Sequence, residues 1–479
     1  MHLLARTALI TLAAFVAMPA MATTVVTGSA GGGQPVSNYQ PSLVLSQVVQ
    51  SQGIFPRRDI DAGAGAVMGM VRTFAWDFGT PKAQGQLIPI SQNTALFSIL
   101  GTTYGGDGRT TFALPDLVGR TVVGAGQGLG LSVSTLGEFA GSASISLTAG
   151  NMPAHVHSLP SGGVTSVAGG NQPFDNEQPS LALNYMIQAE GIYPSQNGPQ
   201  AGDPSPNFIG GSAFIGQVGV FAGNFQPGWM FADGRLLQID QYTALFSLIG
   251  TTYGGDGQTT FALPDLRGRV ARGTGQGPGL SNIVLGETGG AENTSLTALQ
   301  LPNHDHDLPG GGTTGATGGN QPVSNEQPYL GMNYAIALQG IFPAFDRPLG
   351  EDVYIGEVIQ FAGTFAPKGY ALANGQLLSI AQNQALFALL GTTFGGDGRT
   401  TFALPDLRGR IVVGSGNGFD IGQKFGAQTF TLTEANLPPH THSFEVKGGV
   451  PEPASWAMML AGFGIIGGAF RRRAVVRAA

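Results

Sequence analysis

The chain repeats itself at domain length, which constrains its architecture before any local pattern is read. Gly391–Arg410 reads GTTFGGDGRTTFALPDLRGR, Gly101–Arg120 reads GTTYGGDGRTTFALPDLVGR and Gly250–Arg269 reads GTTYGGDGQTTFALPDLRGR. Widened to Thr94–Arg120 and Thr243–Arg269, the first two windows agree at 23 of 27 positions. Asp107 and Asp256 are 149 residues apart, and Asp397 follows after a further 141. That spacing is the length of one compact unit, so the 479 residues read as three tandem domains and not as a solenoid.

Composition narrows the class. Gly contributes 77 residues and charged residues only 11%, which favours turn-rich, β-rich structure with closely apposed backbone. With 42% apolar residues the chain can build cores and is not disordered. It has no cysteine, so disulfides, thiolate metal sites and cysteine nucleophiles are excluded. Between the two ends of the chain stand 17 basic and 28 acidic residues, and such a body repels phosphate backbones, which argues against a nucleic-acid partner.

A shorter repeat precedes each long one: NYQPSLVLSQVVQSQGIFP at Asn38–Pro56, NEQPSLALNYMIQAEGIYP at Asn176–Pro194 and NEQPYLGMNYAIALQGIFP at Asn325–Pro343. Leu181, Leu183, Tyr185 and Ile187 alternate with other residues, predicting a half-buried strand. Each long unit then predicts a first strand (Glu357–Phe361 in the third) and a turn at Asp233-Gly234 or Asn374-Gly375, a favoured hairpin pair. A helix follows at Gln382–Leu390, capped by Ser91 or Asp240 in the first two copies and ended by Gly101, Gly250 or Gly391. Ala381 occupies the cap position of the third copy, whose helix is therefore expected to fray. GGDG lacks the Lys-Ser/Thr of a phosphate loop and the oxygen ligands of an EF-hand, so it reads as a tight turn. Asp116, Asp265 and Asp406 are expected to pair with Arg120, Arg269 and Arg410, and the Gly-rich stretches Gly162–Asn171 and Gly310–Asn320 read as flexible linkers.

The two ends carry sorting information. Arg6, the apolar stretch Ala8–Ala17 and Ala20-Met21-Ala22 have the layout of an export signal, with the mature chain beginning near Thr23. The C-terminus runs from Val450-Pro451-Glu452-Pro453 through the apolar stretch Ala454–Phe470 to Arg471, Arg472, Arg473 and Arg477. Seventeen apolar residues are at the short limit for a membrane span. This order closely resembles the PEP-CTERM sorting tail; the resemblance implies an exosortase-type sorting enzyme as partner, transient inner-membrane anchoring and removal of the tail. A plain single-span anchor is the alternative.

Apart from His2, every histidine belongs to one of three HxH pairs: His155/His157, His304/His306 and His440/His442. In extended backbone, residues i and i+2 point to one face, so each pair offers two imidazoles in one direction. Three pairs around a threefold axis would supply six nitrogens, an octahedral cage for a structural divalent metal, iron or zinc. A filled cage has no open position for water. The other reading is three solvated or hydrogen-bonded histidine pairs near domain ends.

FIGQVGVFAGNFQPGWMFADGRLLQIDQYTALFSLIGTTYGGDGQTTFALPDLRGR followed by LPNHDH resembles the phage tail collar domain, in the version found in microcystin-dependent proteins. The likeness covers three stretches of about 95 residues. Copy one departs most, being shifted around Trp76 and carrying Val118 where the others have Arg267 and Arg408. The resemblance implies a β-rich, often trimeric tail-fibre tip, with HxH pairs binding metal on the axis. In that family the NxQPxL strand follows the collar unit, whereas here one opens the mature chain and none follows the last unit. The chain therefore reads as a circular shift, with Asn38–Pro56 packing back on the third unit to close a pseudo-trimeric ring; a homotrimer is the rival.

The fold class expected is β-rich α+β, three tandem tail-collar domains in a pseudo-threefold arrangement. The boundaries are a signal at 1–22, strand module plus collar at 34–160, 171–309 and 320–448, and the tail at 450–477. The function expected is a surface-sorted, non-enzymatic structural or adhesion protein, with cell-surface glycan or exopolysaccharide as candidate ligand. A tip or fibre of a phage-derived tail device is the alternative, and a metal-dependent hydrolase a third reading.

Overall fold

The computed structural model describes residues 23–53, 55, 67–77, 81–194, 213–223, 229–342 and 353–446. The export signal and the C-terminal tail lie outside them; among the described residues no helix is long and apolar enough to cross a membrane. The architecture is strand-rich, with three short α-helices among the described residues.

Three seam strands organise it: Ser42–Val49, Ser180–Gln188 and Tyr329–Ala337. Each pairs in parallel with the last strand of one collar unit and antiparallel with the first strand of the next. Ser180–Gln188 joins Thr121–Gly124 to Gln217–Phe221, and Tyr329–Ala337 joins Val270–Gly273 to Glu357–Phe361. Ser42–Val49 joins Ile411–Gly414 of the third unit to Met70–Phe74 of the first. The N-terminal strand thus packs back on the third unit, and the ring closes within one chain. The alternating pattern of the seam strands predicts one buried face, but every residue of all three is buried. Tertiary structure covers both faces: Leu181, Leu183, Tyr185 and Ile187 enter the core shared by all three units, while Ala182 and Met186 enter two smaller clusters.

The first strands of the three units pair with one another in a cycle, and the glycine ending each last strand bonds in a second cycle to the residues just before the next unit's last strand. Val71 opposes Val220, Val218 opposes Gln360, and Val358 opposes Thr73. The N–H groups of Gly124, Gly273 and Gly414 donate to the carbonyls of Arg269, Arg410 and Arg120 at 3.0, 2.9 and 3.1 Å. Backbone meets backbone here: a Cβ on those glycines would stand 1.9, 1.9 and 2.2 Å from a leucine carbonyl oxygen of the neighbouring unit. The closing seam also carries contacts of its own. Arg72 Nε donates to Glu357 at 2.8 Å and Nη2 reaches the second carboxylate oxygen, both side chains being buried. Trp76, around which copy one departs from the others, donates Nε1–H to the Ile355 carbonyl at 3.2 Å.

Local expectations fare unevenly. The helices occupy Thr94–Leu100, Thr243–Ile249 and Gln384–Leu390, with apolar residues at i and i+4 on the buried face. A 3-10 turn precedes the first and third, so the caps move to Asn93, Tyr242 and Asn383; none makes a side-chain capping bond, and Ser91 and Asp240 are not caps. All three helices have seven residues, so Ala381 gives the third no disadvantage in length. Asp233-Gly234 and Asn374-Gly375 do not join a hairpin: the strand before each pairs with a seam strand, the strand after with the TFA strand of its own unit. GGDG is the expected tight turn, and Asp107 Oδ1 accepts the backbone N–H groups of Arg109, Thr110 and Thr111. Asp265 and Asp406 pair with Arg267 and Arg408, two residues on, and not with Arg269 and Arg410, because extended backbone puts i and i+2 on one side. Asp116 has Val118 at that position.

Candidate metal centre

Beyond the ring, each unit extends a prong that begins with an apolar residue, a proline and the HxH pair. Met152, Leu301 and Leu437 are fully buried against one another, one from each unit, three residues before the first histidine. This plug sets the prongs around a common line. The Gly-rich stretches Gly162–Asn171 and Gly310–Asn320 are not flexible linkers but the return arms of two prongs. His155 bridges to Ala168, and His304 to Thr317. Glycine lets these arms approach the histidine strands closely, and the backbone hydrogen bonds hold them there.

Among the described residues no return arm follows the third prong in sequence. The first residues of the described chain supply it: Thr23–Val26 pairs antiparallel with Ser443–Val446, and Ala30 bridges to His440. The two ends of the described chain thus meet beside the third histidine pair.

All six histidines come together, at 8% exposure or less. His155 Nε2 and His304 Nε2 each lie 3.3 Å from His440 Nε2. Two four-imidazole groups, His155/His157/His304/His440 and His157/His306/His440/His442, have ring nitrogens within 4.8 Å of one another. The six sites expected from the sequence therefore converge, and these groups contain imidazoles alone.

The tautomers follow from the second shell of contacts. Nδ1 of His155, His304 and His440 faces the carbonyl of Pro153, Pro302 and Pro438 at 3.0, 3.0 and 3.1 Å. Nδ1 of His157, His306 and His442 faces the carbonyl of Gly315, Gly28 and Ser166 at 2.9, 2.9 and 2.7 Å, each time on a neighbouring prong. A carbonyl only accepts, so each Nδ1 carries the proton and each Nε2 turns a lone pair inward. Nε2 of His157, His306 and His442 is buried without a partner. Thr165, Thr314 and Thr27 complete the frame, their hydroxyls accepting the backbone N–H of the second histidine at 3.0 Å. These threonines and carbonyls carry no sequence signal beyond a Thr in each return arm, and threefold comparison of the arms is what exposes them.

Burial pushes His155, His157 and His440 down to about 4, helped by neighbouring imidazoles, and lowers His304 and His442 as well. Six unprotonated nitrogens facing inward, some at 3.3 Å, repel unless a cation lies between them. At metal–nitrogen distances of about 2.1 Å, neighbouring vertices of an octahedron are about 3.0 Å apart and opposite ones about 4.2 Å. The two 3.3 Å separations are close to the neighbouring-vertex distance, and the ring nitrogens form two overlapping groups of four that share His157 and His440; backbone carbonyls on the outer nitrogens are the usual supports of ligating histidines.

Fold and site together define a triplicated, β-rich, prong-tipped body with a histidine cluster at its tip. Residues 69–122, 216–271 and 356–412 match the Phage Tail Collar Domain family, and residues 449–473 match the PEP-CTERM protein-sorting motif. The chain thus carries three tandem collar domains followed by a sorting motif that marks it for export, transient membrane anchoring and processing by an exosortase-type enzyme. The matches cover the collar bodies; seam strands and histidine prongs fall outside them. No curated protein and no solved structure matches the chain.

Proposed function

We propose that the protein is an exported, surface-sorted, non-enzymatic structural or adhesion module: a single chain folded as a pseudo-trimer and locked at its tip by one divalent metal. The observation that carries this reading is the convergence of the three HxH pairs, one from each prong, whose imidazoles form two overlapping groups of four that share His157 and His440. His155, His157, His304, His306, His440 and His442 would hold the ion. When bound, it supplies cross-linking of three prongs that are otherwise joined only by hydrogen bonds and a small apolar plug. Iron or zinc suits an all-imidazole set. Six protein ligands leave no position for a water nucleophile and no carboxylate belongs to either group, which supports a structural role over hydrolysis.

Pairing of Thr23–Val26 with Ser443–Val446 gives the reading an orientation. The sorting motif begins three residues after Val446, at most about 10 Å of chain. The histidine tip therefore faces the membrane while the tail is attached, and the collar bodies project outward toward surface polymer. A tip or fibre of a phage-derived device remains the second reading, favoured by the collar match and disfavoured by the sorting motif.

The test is native mass spectrometry of the purified exported protein with metal analysis. A monomer carrying one tightly held divalent ion is expected. A trimeric mass, or a metal-free protein that does not take up iron or zinc, overturns the proposal.

A further inference from the structure

The three junctions between collar units are built alike but are not equivalent. At the junction of the first and second units a cavity of about 280 Å³ opens, lined by Ala125 and Ser134 from one unit, Asn184 from the seam strand, and Phe231, Asp233 and Arg267 from the other. Nothing in the metal-locked reading uses it.

Asn184 is the informative residue. It is 8% exposed, and its Nδ2 donates to the Gly223 carbonyl at 2.7 Å, which fixes the amide. Its Oδ1 has no donor among the described residues. At the second junction Asn333 makes the same bond to Gly363 at 2.8 Å, but its Oδ1 accepts the hydroxyl of Thr274. Ala125 occupies the position of Thr274, so the first junction lacks that hydroxyl. Ser134 occupies the position of Ile283, the two sitting in the same register opposite Gly126 and Gly275, and Ile283 is buried. At the third junction Ser46 replaces the asparagine altogether. Two small residues, found together only at the first junction, thus open space in front of an oriented amide acceptor that faces the cavity without a donor among the described residues.

The rest of the lining is complementary in type. Arg267 gives Nε and Nη2 to Asp265 at 2.9 Å each, which leaves Nη1 as a donor. Asp233, oriented by Arg235 at 2.8 Å, offers a carboxylate acceptor. Phe231 adds an apolar surface. The four charges cancel, so the site does not select an ion. Its volume is at the small end for ligand sites. We infer that the first junction binds one neutral, hydroxyl-bearing ring of monosaccharide size, a single sugar residue of a surface polysaccharide. Hydroxyls can donate to Asn184 and Asp233 and accept from Arg267, and the C–H face of a pyranose can lie on Phe231. This rests on the surface-adhesion reading and names its ligand class.

Saturation-transfer NMR and calorimetry on the full exported chain, with methyl glycosides of neutral hexoses and with glucuronate and galacturonate, test it. Saturable binding of at least one neutral hexoside is expected, with the uronates weaker. Ala125→Thr, which restores the hydroxyl of the second junction, should weaken that binding roughly tenfold or more without changing the melting temperature or metal content. Ser134→Ile, which fills the same space, gives an independent second variant should the first fail to fold. Absence of saturable binding by every neutral hexoside, preference for uronates, or unchanged affinity in the folded variants overturns the inference. Adhesion to whole polysaccharide that survives Ala125→Thr would refute this site and leave the adhesion reading standing. Loss of all polymer binding by the wild-type protein would remove both.

Discussion

Acidification should unlock the tip well before ordinary acid denaturation. His155, His157 and His440 sit at about 4 in the folded protein, against about 6.5 when exposed. Above pH 6.5 they are neutral in both states and contribute no pH dependence. Between pH 6.5 and 4 the unfolded chain takes up protons that the folded one refuses, so stability falls as pH falls. Each of the three costs about 3 kcal/mol by pH 4. Glu177 works the other way: burial, reinforced by Asp175, Glu292 and Glu138, raises it to about 7, and acidification relieves about one histidine's share. The net loss is about 6 kcal/mol, with a slope of about 2.4 kcal/mol per pH unit around pH 5.5. That is a large part of the stability of a typical domain. Asp107, Asp256 and Asp397, held well below the usual carboxylate range by Thr hydroxyls and backbone N–H groups, contribute only below about pH 4. Calorimetric melting of chelator-treated protein from pH 8 to 4 reads this directly. A fall in Tm of about 10 °C or more, beginning near pH 6.5, is expected. Metal-loaded protein should start from a higher Tm and release its ion in the same window, since only neutral imidazole ligates. A flat Tm between pH 7 and 4.5 would refute the buried, neutral cluster.

Four further outcomes follow from the geometry. Glu357→Gln leaves Arg72 buried beside a neutral partner at the closing seam and should cost about 3–5 kcal/mol in denaturant titration, while joint replacement of Arg72 and Glu357 by apolar residues should recover most of it. Deleting residues 23–30 removes the Thr27 hydroxyl, the Gly28 carbonyl and the strand beside His440, so metal affinity measured by chelator competition should drop about 10–100-fold. Gly124→Ala drives a Cβ to 1.9 Å from the Leu266 carbonyl and should cost more than about 4 kcal/mol by thermal melting; Gly130→Ala, in open space at positive φ, should cost about 1 kcal/mol. His306→Ala should abolish stoichiometric metal in elemental analysis while far-UV circular dichroism stays unchanged, because the ring below the prongs has its own core.

The triplication, the strand Glu357–Phe361, the GGDG turns and the pairing of histidines at i and i+2 were legible in the chain because they depend on neighbours in sequence. So was the circular shift, once the order of short and long repeats was set against the order usual in collar proteins. Errors arose where a local rule met a distant partner. Ser180–Gln188 alternates like a half-exposed strand, yet contacts from two units bury both faces. Asp233-Gly234 has a hairpin composition, yet the flanking strands find partners in different sheets. Gly162–Asn171 looks like a linker, yet its Ser166 carbonyl orients the His442 imidazole of another prong and its Thr165 hydroxyl accepts the backbone N–H of His157. Six histidines in three pairs are a property of the sequence. That their outer nitrogens all meet carbonyls, leaving the Nε2 atoms gathered in the interior, was decided only by tertiary structure, because each orienting group on the second histidines belongs to a segment about 160 to 280 residues away.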